Sequence, residues 1–413
     1  MLPISRFAGL PKGAEQADHS VTHPRGFRAA GVHAGIKKKY RDLALLSSEV
    51  PCTSAAVFTT NAAAAAPVLL TRETAACDRL RAVIVNSGNA NACTGKRGLG
   101  DAARMRSATA NALRLPPEEV AVCSTGVIGM PLPIDAIVGG VTRAARKASR
   151  ALGAEFATTI MTTDRFVKQG ALTLALPQGE VRLGFAAKGG GMISPKMATM
   201  LCFATTDAAV PGPALRGLLA RVVDRTFNRV TVDGQQSTND TAIMLANGAS
   251  GISLSGKSLR LFEDAFEQAM LLLALALVAD GEGATKVVRL RVEGAFDQPE
   301  AEAVARAVAN SPLVQAAFFG GDPNWGRIVQ AVGQIVPPAD GAGLKADVAF
   351  DGLPLVQRGV AAALSYDERR HLQKIMQTRE IDVLVSFSRG PAATTVYFSD
   401  LTYEYVTVNS EYN

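Results

Sequence analysis

A glycine-rich segment between apolar stretches is the feature that most constrains how this chain can fold. Residues 172–176 and 181–185 predict a β-hairpin across a Pro-Gln-Gly-Glu turn. The chain then passes through Lys188 and three glycines, residues 189–191, before a third apolar stretch at 200–204. Strands that follow one another at such short spacing favour antiparallel or mixed sheets over a strictly alternating parallel sheet.

Thr199 stands at the head of the third stretch, directly after the small residue Ala198. A hydroxyl residue in this setting is expected where a chain cuts itself and exposes a new N-terminal threonine. Such a threonine supplies its own general base, because an α-amino group has a pKa of about 7.7–8.0. The pattern is also typical of a glycine loop that leads into an ordinary core strand, so the segment alone leaves both interpretations open.

The composition indicates a folded protein with more than one unit. The chain has 413 residues, of which 48% are hydrophobic and 19% charged. Its longest apolar run, residues 269–279, spans 11 residues, whereas a membrane-spanning helix needs roughly 20, so the run predicts a buried helix. The first residues include charges and no apolar signal core, so we expect neither a secretory signal nor a membrane partner.

The residue counts argue against several kinds of site. Five cysteines without Cys-x-x-Cys spacing predict reduced thiols and a cytoplasmic location. Four histidines disfavour a histidine triad or a zinc site, so no metal is expected. The basic run at residues 37–41 has no nucleic-acid motif around it, and we interpret it as a solvated turn. No segment matches a nucleotide loop, and the net charge of +6 suits acidic small-molecule substrates better than nucleic acid.

The remaining pattern predicts a mixed α/β fold of layered sheets covered by helices. Further β-like stretches are expected at 55–59, 82–85, 120–123, 287–292, 346–350, 381–387 and 394–398. Helices are expected at 101–113, 133–152, 213–226 and 259–279. The first 50 residues carry no clear period, and we assign no element there.

Three polar motifs follow these elements and have the residues that acyl chemistry needs. Thr125 and Gly126 come at the end of one apolar strand, where a hydroxyl beside a glycine N–H can form an oxyanion hole. Residues 86–95 are small and polar, which suits either an anion or carbonyl site or a plain turn cluster. Glu282 lies between two glycines after the long helix, where it can hold a substrate ammonium or simply cap the helix in solvent.

Together these motifs resemble the ornithine acetyltransferase family, the glutamate N-acetyltransferases of arginine biosynthesis. The resemblance runs from about Ala29 to the C-terminus, with the motifs in the family order. They comprise residues 86–95, 124–126, 161–164, 188–201, 232–234, 237–240, 280–286 and 321–327.

The resemblance implies a self-processing enzyme. Cleavage between Ala198 and Thr199 would give an α chain, 1–198, and a β chain, 199–413, with a smaller C-terminal α/β subdomain from about 285. The implied fold is a sandwich of sheets between helix layers, and the implied assembly is a heterotetramer of two α and two β chains. No cofactor is implied, and acetyl-CoA is left open as a second acetyl donor.

The resemblance also assigns roles to individual residues. Thr199 would carry acetyl from N-acetylornithine to glutamate in a ping-pong cycle, with Thr125 and Gly126 as the oxyanion hole. The residues implied to hold the amino-acid substrate are Thr162, Lys188, Thr199, Glu282 and Asn409.

Two departures from the family pattern bear on substrate fit. Gln235 and Gln236 stand where the family has an Asp-Thr pair, and the chain ends one residue short of the usual terminal hydroxyl. Two other functions therefore remain in view. One is a self-processing aminopeptidase or amidase, in which water accepts the acyl group, and the other is a non-catalytic relative that binds amino acids.

Overall fold

The structure, a computed structural model, describes residues 1–194, 200–337 and 344–411. The chain divides into two units, each with its own sheets and helices. The first unit comprises Met1–Ile4, Ala8–Asn228 and Gln235–Leu277, and the second comprises Ser5–Phe7, Arg229–Gly234 and Val278–Asn413. Ala198 and Thr199, the predicted cleavage site and nucleophile, lie outside the described residues.

The helices match the apolar periodicity of the sequence, and polar caps fix several of their starts. The helices are α1 (Ala66–Thr74), α2 (Gly95–Leu113), α3 (Ile134–Lys147), α4 (Gly153–Thr159), α5 (Gly212–Arg225), α6 (Gly256–Ala279), α7 (Gln298–Ala309), α8 (Pro312–Phe319), α9 (Trp325–Gly333), α10 (Tyr366–Gln377) and α11 (Tyr403–Glu411). Asp297 caps α7, and Ser365 forms a capping box with Glu368 at the start of α10.

The strands are mostly short and follow one another closely. They are β1 (Ala14–Ala17), β2 (Phe27–Val32), β3 (Leu43–Ser48), β4 (Thr53–Phe58), β5 (Ala82–Asn89), β6 (Val120–Val127), β7 (Lys168–Leu176), β8 (Gly179–Lys188), β9 (Leu201–Thr206), β10 (Val230–Thr231), β11 (Thr241–Ala246), β12 (Val287–Ala295), β13 (Asp347–Phe350), β14 (Leu353–Gln357), β15 (Val360–Ala361), β16 (Glu380–Ser386) and β17 (Ala392–Ser399).

Within the described residues, the first unit contains two mixed sheets that share one core. The six-stranded sheet has the order β1-β7-β8-β9-β11-β4, in which β9 and β11 are the parallel neighbours. The four-stranded sheet has the order β2-β3-β5-β6, in which β5 and β6 are parallel. Phe27, Ala29, Ala44, Leu46, Val83, Val85, Ala121 and Cys123 of the four-stranded sheet are buried together with Ala186, Leu201, Phe203, Ile243 and Leu245 of the six-stranded sheet.

Helices cover the outer faces of both sheets. Because side chains alternate along a strand, the residues between those of the shared core point the other way. On the four-stranded sheet, these residues pack against Met105 of α2 and Ile137 of α3. On the six-stranded sheet, Phe185 stacks on Phe266 of α6 with ring centroids 5.9 Å apart. The first unit is therefore a four-layer sandwich, with helices outside and two sheets inside.

The second unit is also α/β. Its described strands form a seven-stranded mixed sheet of order β10-β17-β12-β16-β13-β14-β15. The interior strand β12 runs parallel to β16 and antiparallel to β17. The apolar side chains of this sheet are buried against those of α7 to α10. Among them, Phe318 of α8 stacks on Phe350 of β13 with ring centroids 5.7 Å apart.

The prediction of a mixed α/β fold of layered sheets under helices is confirmed, with two local differences. The helix predicted over 133–152 ends at Lys147, because Ala29 and Ser149 exchange two backbone hydrogen bonds that draw the chain into an isolated bridge. The first 50 residues, left unassigned from the sequence, form β1 to β3. β3 is buried along its whole length, so it lacks the alternating pattern of a half-exposed strand.

Candidate active site

Thr125 and Gly126 lie near the end of β6, next to the parallel strand β5. Thr125 shares the face of Ala121 and Cys123, so its side chain points into the core between the two sheets. Gly126 has a φ of +134°, and a Cβ atom there would lie 2.2 Å from the carbonyl carbon of Gly88. Only glycine fits this contact, which lets the backbone beside Thr125 approach its neighbour closely.

Lys188 ends β8 and reaches Thr125 across the sandwich. It shares the inward face of Ala186, and only 2% of it is exposed. Its ammonium Nζ donates to Thr125 Oγ1 at 3.2 Å and to Thr162 Oγ1 at 2.7 Å. Three residues that the sequence singled out, separated by up to 63 positions, thus form one hydrogen-bonded cluster in the first unit.

Asp164 supports this cluster through hydrogen bonds. It was not among the functional residues predicted from the sequence. Its Oδ2 accepts the N–H of Thr162 at 2.9 Å, and its Oδ1 accepts Lys168 Nζ at 2.6 Å and the N–H of Gly189 at 2.8 Å. Burial alone would raise the pKa of this carboxyl, but the charges and hydrogen bonds of its neighbours outweigh burial and hold the pKa well below its usual range. The available signal was a carboxylate directly after a pair of threonines and four residues before a lysine.

Lys37 is the exception within the basic run, which is otherwise exposed as a solvated turn would be. Residues 38–40 are exposed, but Lys37 is half-buried and its Nζ donates to the carbonyl oxygen of Met161 at 2.6 Å. Burial lowers the pKa of Lys37 to about 8, with Lys188 lowering it further and Asp42 and Asp164 opposing the change. A cation therefore lies beside the loop that carries Thr162.

In the polar segment at residues 86–95, the side-chain amides of the asparagines donate to backbone carbonyls of the protein itself. Asn86 Nδ2 donates to the carbonyl oxygen of Asn89, and Asn89 Nδ2 donates to the carbonyls of Met130 and Pro131. Asn91 Nδ2 donates to the carbonyl of Gly98. These contacts favour the turn-cluster interpretation, because the side-chain donors are occupied by backbone carbonyls.

Asp240 lies beside the first described residue after Thr199. Its Oδ1 accepts the N–H of Met200 at 2.9 Å, and no hydrogen-bond partner of its Oδ2 is found among the described residues. Burial raises the pKa of this carboxyl well above its ordinary value, although the Met200 N–H, Lys188 and Ser237 oppose the shift.

Glu282 and Asn409, the other two predicted substrate residues, meet in the second unit. Asn409 lies on α11, and its Nδ2 donates to Glu282 Oε2 at 2.7 Å. Gly283 beside Glu282 has a φ of +73°, and Thr402 Oγ1 donates to its carbonyl oxygen at 3.0 Å. The loop that carries Glu282 is thereby tied to the segment that leads into α11.

Gln236, one of the two glutamines that depart from the family pattern, makes structural contacts. Its Nε2 donates to Thr60 Oγ1 at 2.8 Å, and its backbone carbonyl oxygen accepts Asn61 Nδ2 at 2.9 Å. Both contacts lie within the first unit.

The described residues offer neither a metal centre nor a membrane-spanning helix. Across residues 1–194, 200–337 and 344–411, no group of three or more His, Cys, Asp or Glu side chains is arranged to hold a metal ion. Over the same ranges, each helix is too short or too polar to cross a membrane.

Comparison with known proteins gives extensive matches. The ArgJ family model matches residues 28–413. The arginine biosynthesis bifunctional protein ArgJ of Symbiobacterium thermophilum is 45% identical over 398 residues, covering 95% of this chain and 98% of that protein. The protein of that name from Geobacter sulfurreducens is 46% identical over 392 residues, covering 94% and 99%. A crystal structure of the Mycobacterium tuberculosis ornithine acetyltransferase complexed with ornithine is 45% identical, with a TM-score of 0.41 over 44% of this chain and 98% of that one.

The family model and the two ArgJ proteins, which match nearly the whole chain, define its class. The chain is an acyltransferase enzyme of arginine biosynthesis. More particularly, it belongs to the ArgJ family. The resemblance that its motifs indicated is confirmed, while the individual residue roles stay predictions.

Proposed function

We propose that this enzyme transfers an acetyl group from N-acetylornithine to glutamate through an acetyl-threonine intermediate at Thr199. The observation that carries the proposal is the buried cluster of Thr125, Thr162 and Lys188. It lies at the end of β8, from which the chain continues through the glycine run toward Thr199.

The precursor first cleaves its own chain. Thr199 Oγ attacks the carbonyl carbon of Ala198, and the C–N bond between the two residues breaks. The nitrogen takes up the hydroxyl proton and becomes the α-amino group of Thr199. Water then hydrolyses the resulting ester, which leaves an α chain of residues 1–198 and a β chain of residues 199–413.

The mature enzyme then works in two half-reactions. The Thr199 hydroxyl attacks the acetyl carbonyl carbon of N-acetylornithine while its own α-amino group takes the proton. Thr125 Oγ and the N–H of Gly126 donate to the oxyanion, the C–N bond breaks, and the proton passes to the departing ornithine nitrogen. The amine of glutamate next attacks the acetyl ester, giving N-acetylglutamate and restoring the hydroxyl.

The remaining predicted residues are proposed to hold the amino-acid substrate. Lys188 is a buried cation that suits a substrate carboxylate, with the hydroxyl of Thr162 beside it. Glu282 is an anion that suits an ammonium group, and Asn409 donates to it. An amine base on the nucleophile itself explains why the mechanism needs no histidine.

Intact mass spectrometry of the purified protein tests self-processing. We expect two chains that divide between Ala198 and Thr199, one full-length chain for Thr199→Ala, and two chains for the matched control Thr199→Ser, which retains a hydroxyl. A wild-type protein that stays full-length after prolonged incubation contradicts the proposal.

An assay with N-acetylornithine, with and without glutamate, separates acetyl transfer from hydrolysis. A transferase forms N-acetylglutamate in step with ornithine release and releases little acetate without glutamate. Release of acetate at an equal rate in both conditions would indicate the amidase alternative. Absence of any acetyl-enzyme would indicate a non-catalytic relative.

Four further expectations accompany the proposed reaction. We propose that no cofactor takes part and that acetyl-CoA serves as a second donor for N-acetylglutamate synthesis, which an assay with acetyl-CoA as sole donor decides. We also propose a heterotetramer of two α and two β chains, measurable by light scattering. All five cysteines are free thiols, which supports a reducing, cytoplasmic location.

A further inference from the structure

The carboxylate of Asp164 holds the backbone on both sides of the hydrogen bond between Thr162 and Lys188. Through Oδ2 it holds the backbone N–H of Thr162, whose hydroxyl accepts Lys188 Nζ. Through Oδ1 it holds the backbone N–H of Gly189, the residue directly after Lys188. One side chain thus sets the position of the hydroxyl partner of Lys188 and of the backbone from which Lys188 extends.

The same carboxylate also neutralises a buried cation. Lys168 and Asp164 have no exposed side-chain surface, and their charged groups are 2.6 Å apart. A buried ammonium without an anionic neighbour is strongly destabilising, so loss of Asp164 affects folding as well as the site. A test of its role must therefore separate these two effects.

We propose that Asp164 is a positioning residue for the substrate carboxylate, acting through Thr162 and Lys188. The inference depends on the proposed function, in which those two residues hold the amino-acid substrate. Asp164 accepts the backbone N–H of Thr162 and that of Gly189, the residue after Lys188. These two hydrogen bonds fix the backbone on both sides of the contact between Thr162 Oγ1 and Lys188 Nζ. Displacement of a group that binds the substrate equally in the ground state and the transition state raises KM and leaves kcat largely unchanged.

The decisive variant combines Asp164→Asn with Lys168→Met, which removes the buried charge pair but leaves the space filled. Asp164→Asn alone should lower the melting temperature, because Lys168 loses its counterion. The double variant should recover most of that loss, yet its KM for N-acetylornithine should stay raised about 10- to 100-fold, with a smaller change in kcat. Lys168→Met alone, which keeps both backbone hydrogen bonds of Asp164, should have a KM close to that of the wild type.

Asp164→Glu provides a second, independent variant. It keeps the negative charge for Lys168 but moves the carboxylate by one methylene, so we expect a raised KM in protein that remains folded. A wild-type KM in either the double variant or Asp164→Glu overturns the proposal and leaves Asp164 as a counterion for Lys168. Binding of ornithine to each protein, measured by calorimetry, should weaken in parallel with the rise in KM.

The failure of the proposed function gives a different result. In that case the wild-type protein neither transfers acetyl to glutamate nor binds ornithine. Transfer by the wild type together with unchanged KM values in the variants removes only the role of Asp164.

Discussion

The hydroxyl of Thr125 has one hydrogen to donate, and its contact with Lys188 does not use that hydrogen. Lys188 is a donor only, so in their 3.2 Å contact the Thr125 oxygen accepts. The Thr125 proton can then point toward a developing oxyanion. A buried lysine next to the proposed oxyanion donor would also contribute positive charge where negative charge forms during acyl transfer.

Thr125→Ala should therefore slow acetyl transfer by roughly 10²–10³-fold, as the loss of one oxyanion donor does in other enzymes. Thr125→Ser is the matched control and should retain most of the activity because it keeps the hydroxyl. Single-turnover formation of the acetyl-enzyme measures the effect directly. An unchanged rate in Thr125→Ala removes this hydroxyl from the mechanism.

His23 makes the stability of the first unit depend on pH. Burial and the nearby positive groups His19, Arg182 and Arg150 lower the pKa of His23 to about 4. The unfolded chain, with a histidine pKa of about 6.5, binds more protons between these two values. The stability contribution is thus complete above pH 6.5 and is lost as the pH falls toward 4.

The melting temperature of the wild type should accordingly fall more steeply between pH 7 and pH 5 than that of His23→Gln. Thermal unfolding at several pH values in one buffer series measures both slopes. Parallel slopes for the two proteins would show that His23 does not carry this pH dependence.

At the scale of elements, the contact between β5 and β6 requires a glycine, which has no side chain, at position 126. A Cβ atom at Gly126 would lie 2.4 Å from the backbone nitrogen of Asn89, and the φ of +134° disfavours other residues. Gly100, in α2, is a useful contrast, because a Cβ atom there meets nothing within 4 Å.

Gly126→Ala should lower the free energy of unfolding by about 2–3 kcal/mol, since backbone atoms would have to move. Gly100→Ala, the matched control, should raise it by about 0.5–1 kcal/mol, because alanine is the better residue within a helix. Urea titration of both variants measures the difference. Equal stabilities for the two would show that β5 can shift without cost.

At the scale of the whole molecule, strands from both sides of the proposed cleavage site interleave in one sheet. In the six-stranded sheet, β8 precedes the site and pairs with β9, which follows it. At the far edge, β4 precedes the site and pairs with β11, which follows it. The two segments are therefore joined by two separate ladders of backbone hydrogen bonds, in addition to the shared core.

The cleaved chains should consequently remain together under native conditions. Gel filtration should give one peak containing both chains, and they should separate only in denaturant. Separation of the α and β chains in native buffer would contradict this sheet arrangement.

Local sequence predicted many of the elements and a few of the candidate residues. Apolar period and glycine placement predicted the hairpin of β7 and β8, and chemistry at a strand end indicated Thr125 and Gly126, whereas the family resemblance supplied Lys188. The fully buried β3 was missed, because a strand covered on both faces loses its alternation. Lys37 was assigned to solvent with its basic neighbours, but its ammonium contacts a carbonyl 124 residues away.

The sequence by itself determined the fold class, the family and the residue types available for acyl chemistry, since these depend on local periodicity and on motifs read along the chain. Only the tertiary structure decided that Lys188 meets Thr125 and Thr162, and that Asp164 holds Thr162 and Gly189. Strand alternation sets which side chains share a face, but the packing of one sheet on another decides which faces meet. That packing joins residues far apart in the chain, and no local pattern encodes it.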